Sequence, residues 1–359
     1  YSLSTGRTKM NRRGYWKMKE KFENFNLSFD WKSGDDLEVS LRDMSVLTFD
    51  REKGVRLYGE SQQWHPYSDV GEWNSADIKV VDDRVYVSVN GKELITNAVL
   101  TNPKEGKSLN NAGGIGFQAG NDSLIVRYTR IRKLPSTPVF TLPAEEREEG
   151  YEVLFDGRSL DKWQGNTTNY VPKDGNIYVT ADYGGSGNLY TKKKYSDFVL
   201  RFDFRFDRPG VNNGVGVRTN IGTDAAYDGM EIQILDHDDP IYNGLQPYQQ
   251  HGAGYGIIVP EHFKFDKPGT WYSEEIRVKG DRVKVTVNGK VILDGDIRKA
   301  CKGHNVSPDG SGHNPYTVDQ KNHPGLFNKE GYISFCGHGP GIMFRNVRIL
   351  DLNKKPKRR

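Results

Sequence analysis

IKVVDDRVYVSVNGKELIT (78–96) lies over IRVKGDRVKVTVNGKVILD (276–294) without a gap, and ten of the nineteen positions are identical. Val283, Val285 and Val287 alternate with Lys284 and Thr286, the period of two that half-buries a strand. Asn90-Gly91 and Asn288-Gly289 then supply the positive φ angles of a tight hairpin turn. Working outward, Trp73 matches Trp271 and Ser75 matches Ser273. IGFQAGNDSLIVRYTRI (115–131) lies over ISFCGHGPGIMFRNVRI (333–349), and KFENFNLSFDW (21–31) over KYSDFVLRFDF (194–204). Three matched segments in one order mean a domain built twice. FVLRFDFRF (198–206) alternates in the same way, and helical periodicity is almost absent. Short strands punctuated by turns predict an all-β chain of two antiparallel sandwiches in tandem.

The boundary falls at LPSTPVFTLPAEER, where Pro135, Pro138 and Pro143 interrupt any periodicity. The expected organisation is a first sandwich over 1–134, a linker over 135–148, a second sandwich over 149–352 and a basic tail over 353–359. The first copy lacks a counterpart to residues 151–186, so other strands must complete it or leave it trimmed. With 359 residues there is length for two cores, and 40 Gly with 19 Tyr suit turn-rich β structure. A net charge of +4 with both signs interspersed argues against a dedicated nucleic-acid binder. KKPKRR (354–359) resembles a nuclear-localisation run but reads more simply as a solvated end. No apolar run reaches the roughly 18 residues of a membrane span. Tyr1 in place of Met suggests a mature or trimmed form, whose missing N-terminus could carry a lipid anchor. Cys301 and Cys336 have no metal or redox spacing and could pair or stay free.

Against the first copy, the second has gained 25 residues between Asp203 and Trp271 and 20 between Trp271 and Phe335. These enlargements hold His237, His251 and His262, then His304, His313 and His323; His338 stands where the first copy has Gly120. Only His65 lies in the first copy. Histidine suits proton transfer near neutral pH, and loops on a rigid sandwich carry function, so the chemistry is expected in the second copy.

GYEVLFDGRSLDKW (150–163), GMEIQILDH (229–237) and GYISFCGHGPGIMFRNVRIL (331–350) together resemble the DUF1080 family of 3-keto-disaccharide hydrolases and glycosyl hydrolases, found in Bacteroidetes and related bacteria. The resemblance is strong over 150–352 and weak over 14–134. It implies concanavalin A-like jelly rolls, a periplasmic, cell-surface or extracellular setting, and an oligosaccharide or glycoside substrate oxidised at C3 of the sugar. It assigns no catalytic residues, which are read here from the chain itself.

In DGMEIQIL (228–235), alternation puts Met230, Ile232 and Ile234 on one face and Glu231 and Gln233 on the other. NNGVGVRTN (212–220) likewise sends Val215 and Val217 inward and Gly214, Gly216 and Arg218 outward, the glycines leaving room for a flat sugar ring. Asn213 joins this expected binding set. Glu231 and Arg218 are expected either in a polyol site or in a surface salt bridge. Asp236 and His237 end their strand at the rim. PYQQHGAGYGI (247–257) brings His251 and Tyr255, as a lid and acid–base donor or as a packed loop. Glu231, His251, His338 and Arg218 form the catalytic set, with Gln233, Asn213, Asp236, His237 and Tyr255 binding substrate. No cofactor motif is legible; a divalent metal held by non-local ligands stays open for His304, His313 and His323. Trp163 and Trp271 are expected in the core.

Two mechanisms fit. A carboxylate pair, Glu231 with Asp236 or Asp228, would make a conventional glycosidase. A 3-keto-glycoside instead needs one base for the acidified C2 proton and one group to stabilise the enolate. The histidine excess favours the second. The alternative is a non-catalytic, lectin-like carbohydrate-binding protein, since fold alone does not settle function.

Overall fold

The computed structural model describes residues 2–4, 8–33, 36–58, 63–67, 73–180 and 187–354; Tyr1 and residues 355–359 of the basic tail lie outside them. The chain divides into two compact units, Tyr1–Pro138 and Val139–Arg359. Each is a concanavalin A-like jelly-roll sandwich of two antiparallel sheets.

The first unit contains β1 (Ser2–Ser4), β2 (Thr8–Met10), β3 (Tyr15–Lys17), β4 (Phe25–Ser33), β5 (Leu37–Leu41), β6 (Ser45–Asp50), β7 (Gly54–Leu57), β8 (Asn74–Val81), β9 (Arg84–Val89), β10 (Lys92–Val99), β11 (Gly116–Ala119) and β12 (Leu124–Lys133). One sheet runs β1-β12-β4-β8-β9-β10, with β2 also on β12; the other runs β3-β11-β5-β6-β7. The period-two pattern explains the layering: β8 buries Ala76, Ile78 and Val80 while Ser75, Asp77 and Lys79 face outward. Its first two strands pair with β12 and its third with β11, completing both sheets.

The second unit contains the short helix α1 (Ala144–Glu149), then β13 (Glu152–Phe155), β14 (Trp163–Gly165), β15 (Tyr170–Lys173), β16 (Asn176–Val179), β17 (Leu189–Tyr195), β18 (Phe198–Phe206), β19 (Asn212–Thr219), β20 (Met230–Leu235), β21 (Trp271–Lys279), β22 (Arg282–Val287), β23 (Lys290–Asp296), β24 (Gly331–Phe335) and β25 (Ile342–Asp351). Its larger sheet runs β15-β16-β25-β18-β21-β22-β23, with β13 on β25, and its smaller sheet runs β14-β17-β24-β19-β20. Phe202, Phe335 and Phe344 meet in its core, and Trp163 stacks on Phe335 with centroids 5.3 Å apart.

The repeat extends to side-chain detail. Asn90 and Asn288 take φ of 52° and 47°. Each accepts, through its side chain, the backbone N–H of Ser75 or Ser273 at 2.9 and 2.8 Å. Trp271, expected in the core, instead lies on the outer face of its sheet. There Arg345 stacks on it at 3.9 Å and bonds Asp203 at 3.1 Å. Arg127 does the same to Trp73 and Asp30, at 3.7 and 3.1 Å. The matched tryptophans are therefore cation–π platforms on the sheet surface.

The stretch expected to be a linker ends inside structure. Helix α1 runs from Pro143 to a left-handed Gly150, and its buried Glu146 meets Arg201 at 3.0 Å and Arg348 at 2.7 Å. Six residues are too few to show a helical period in sequence, so only the ion pairs reveal that this segment belongs to the second sandwich.

Candidate active site

Alternation along β20 places Met230, Ile232 and Ile234 in the core and Glu231 and Gln233 on the outer face, as the pattern requires. That face is not open. Both side chains are buried, and the loop after the strand pairs along its free edge: Tyr255 N–H bonds Glu231 O and Gly252 N–H bonds Gln233 O. Gly214, expected to admit a sugar ring, admits Glu231 instead; a Cβ there would stand 1.9 Å from Glu231 Oε1. A Cβ on Gly216 would likewise strike Ser334 Oγ at 2.3 Å. The glycines clear space for this protein's own side chains.

From that covered position Glu231 reaches His338, whose Nε2 lies 3.6 Å from Glu231 Oε1. His338 follows β24 and its side chain is 43% exposed, so the couple has a buried carboxylate and an accessible imidazole. The nearby Glu231 carboxylate raises the His338 pKa, burial opposes it, and Asp224 adds to the lift. Cys336, buried on the same sheet, is a free thiol whose pKa burial pushes well up. Cys301 is also free and buried. An accessible imidazole backed by a carboxylate is equipped to take up and return a proton.

Arg218 does not belong to this couple. It follows a register break in β19 and takes φ of 53°. Its guanidinium turns away to donate to Ser196 O, Gly280 O and Asn328 O at 2.9, 3.0 and 3.3 Å and to Asp197 Oδ1 at 3.0 Å. In the first unit Arg42, with φ of 50°, binds Glu23 O, Asp82 O, Leu109 O and Asn24 Oδ1. Glu23, Asn24 and Asp82 are the repeat counterparts of Ser196, Asp197 and Gly280. Arg218 is thus a structural clamp present in both copies, neither catalytic nor a surface partner of Glu231.

His251 is no lid either. It is fully buried, packs against Phe204 and Phe265, and accepts the Leu235 N–H through Nδ1 at 3.3 Å. Its Nε2 faces Glu274 Oε2 at 3.4 Å. Burial pushes Glu274 well above the usual carboxyl range and His251 well below the usual imidazole range, which favours the neutral form of each. The first copy has Ala76 in the place of Glu274.

His237 accepts the His251 N–H through Nδ1 at 3.1 Å. Asp236 accepts the Gly210 N–H at 3.0 Å, and burial raises its pKa. Five residues of strand separate Glu231 from Asp236, roughly 16 Å by extended rise, too far for a pair that works at about 5–9.5 Å. Asp228 is spent on Asn220 and Thr223, at 2.9 and 2.7 Å. No conventional carboxylate pair forms with Glu231 from either expected partner.

Among the described residues, one group has metal-ligating atoms gathered together: His237, Asp238 and His262. Because His237 Nδ1 accepts a backbone N–H, its Nε2 carries the proton and presents hydrogen, not a lone pair, to that group. This tautomer does not fit a metal ligand. The later histidines separate: His304 stacks on Tyr316, and buried His323 bridges Ala226 O at 2.8 Å and Asp319 at 3.1 Å.

Asn213, expected to bind substrate, points inward, fully buried, and donates to Tyr170 OH at 3.1 Å. Gln233 donates to Asn212 Oδ1 at 2.9 Å. Tyr255 does reach the surface. It accepts from Gln249 at 3.2 Å and packs edge-on against Tyr248 at 5.9 Å. Lys321 donates to Tyr227 at 3.2 Å, with charge influence from Tyr255. Tyr227, Tyr248 and Lys321 escaped sequence reading because they have no shared spacing and sit on three different loops.

A two-sheet sandwich carrying an accessible imidazole over a buried carboxylate has the makings of a carbohydrate-active protein, and comparison with known proteins agrees. The model of the 3-keto-α-glucoside-1,2-lyase-like domain matches residues 5–132 and again residues 150–350, and the chain belongs to that family. A 3-keto-disaccharide hydrolase of Bacteroides thetaiotaomicron is 25% identical over 276 residues, covering 67% of this chain and 91% of the relative. Two crystal structures from Parabacteroides distasonis, provisionally assigned as glycosyl hydrolases, are 25% and 27% identical and cover 59% and 56% of this chain and 99% of each solved chain, with TM-scores of 0.49 and 0.47. Its family and the 3-keto-disaccharide hydrolase relative make the protein glycosyl hydrolase-like and carbohydrate-active.

Proposed function

We propose that the second unit cleaves 3-keto-glycosides, with His338 as the proton-transferring residue and Glu231 holding its imidazole. The observation that carries this reading is the 3.6 Å approach of the exposed His338 to the buried Glu231. Neither group exists in the first copy, which has Gly120 and Val46 there. The family and the 3-keto-disaccharide hydrolase relative support the substrate class.

His338 Nδ1, the ring nitrogen turned away from Glu231, removes the proton from C2, which the neighbouring ketone has acidified. The electron pair delocalises onto the ketone oxygen as an enolate. It then returns to form the C1–C2 double bond as the C1–O bond breaks. The departing oxygen takes the proton back from the imidazolium, giving a free aglycone and an unsaturated keto sugar. Addition of water across that double bond would complete net hydrolysis. One imidazole serves both proton transfers, so no carboxylate pair is needed.

The test is to offer the purified chain a 3-keto-glucoside and its unoxidised parent. Turnover of the keto compound alone is expected, with His338→Gly losing about 10²–10⁴-fold and keeping its fold. Turnover of the parent alone, or full activity in His338→Gly, overturns the reading.

A further inference from the structure

The first unit carries its own groove. A cavity of about 350 Å³ lies on the outer face of its larger sheet, lined by Asn26, Asp77, Lys79, Tyr86, Ser88 and Glu93 among others. Strand register arranges these side chains in two rows. Asp77, Ser88 and Glu93 stand side by side across β8, β9 and β10; Asn26, Lys79 and Tyr86 do so across β4, β8 and β9. Neighbours within a row are about 4.8 Å apart and the rows about 7 Å apart, as pleated geometry sets.

Three observations mark this groove as a place for a ligand. The side-chain oxygen of Asn26 is buried and has no hydrogen-bond partner. Asp77 and Glu93 are exposed and make no ion pair among the described residues. The second unit closes the same surface with its own chain. There Glu275, the counterpart of Asp77, is taken by Arg201 at 2.8 Å, and Arg201 also binds Glu146 of α1. In the first unit Ser28 replaces Arg201, so Asp77 is released.

We infer that this groove is a second, non-catalytic carbohydrate site that binds a neutral oligosaccharide. Two carboxylates, an amide, a hydroxyl and an ammonium on a flat strand lattice form a donor and acceptor array for adjacent sugar hydroxyls. Asp77 and Glu93 outnumber Lys79, which disfavours phosphates and other anions. Leu27, Ile78 and Val87 also border it, but their side chains are buried in the core, so it offers no apolar side-chain floor for a lipid. Tyr86 adds a half-buried ring, with Lys79 above it at 5.5 Å and its hydroxyl on Asn97 at 3.2 Å. The cavity falls within the size range of small-ligand sites. A first unit with this groove would hold the polymer or glycoconjugate near the second.

The experiment titrates the full chain with cellotetraose, maltotetraose, laminaritetraose and xylotetraose, followed by calorimetry and saturation-transfer NMR. At least one should bind, and Asp77→Ala with Glu93→Ala should weaken it at least tenfold while turnover at the second unit is unchanged. Tyr86→Phe should keep most of the binding. His338→Gly should keep the binding and lose turnover, which separates this site from the catalytic proposal. Binding by none of the four, or undiminished affinity in the double variant, overturns the inference.

Discussion

Arg42 and Arg218 occupy one position in two sandwiches and do one job, whereas Val46 and Glu231, or Gly120 and His338, occupy one position and do different jobs. The registers establish the second equivalence: Leu47 pairs with Val39 as Ile232 pairs with Val215, which sets Val46 in the place of Glu231. The difference teaches how to separate frame from chemistry in a duplicated fold. Groups kept in both copies, such as the two arginine clamps and the two Trp–Arg–Asp platforms, hold strands and turns. Groups gained by one copy at the end of its smaller sheet supply the ionisable couple.

The strongest way to break this comparison is to cut the clamps. Arg218→Ala removes the guanidinium from three backbone carbonyls and from Asp197. It should cost about 3–5 kcal/mol, read as a lower urea midpoint for the second unit. Arg42→Ala should do the same to the first. Normal stability with lost turnover in Arg218→Ala would restore the arginine to the active site.

A smaller effect should come from Glu274, the buried carboxyl that replaces Ala76. Its pKa is raised in the folded state, so above the ordinary carboxyl value the native chain holds a proton that the unfolded chain has released. Its contribution is fully present below that value and falls as pH rises towards the folded pKa. Glu274→Gln should remove this decline, so that urea stability falls less steeply as pH rises above the ordinary carboxyl range. A slope identical to that of the parent chain would show that Glu274 is not protonated there.

The smallest effect sharpens the second half of the comparison. Glu231→Gln removes the carboxylate that lifts His338, so the imidazole should titrate at lower pH by NMR, and the pH profile of any turnover should move with it. An unmoved titration would mean that the two groups do not communicate.

Much of this was legible in the chain. Alternation along MEIQIL sorts core from outer face correctly, and Asn-Gly fixes both hairpins. Comparing His338 with Gly120 finds the accessible half of the couple. The errors share one cause. Asn213, Arg218 and His251 are polar residues beside a candidate site, and sequence does not say where a polar side chain finds its partners. For Arg218 a signal existed: SLR (40–42) and GVR (216–218) carry the same arginine, which marks it as frame.

The amino-acid sequence by itself determined the two sandwiches, their strand faces and the copy that had gained ionisable groups, because strand periodicity and turn chemistry are local. The folded structure alone decided which groups meet. A positive φ at Arg218 turns its guanidinium away, and Gly214 leaves the space that Glu231 fills. The couple between Glu231 and His338 joins residues more than a hundred positions apart, through the pairing of β19 with both β20 and β24. Such pairing depends on the packing of whole sheets, which no local pattern encodes.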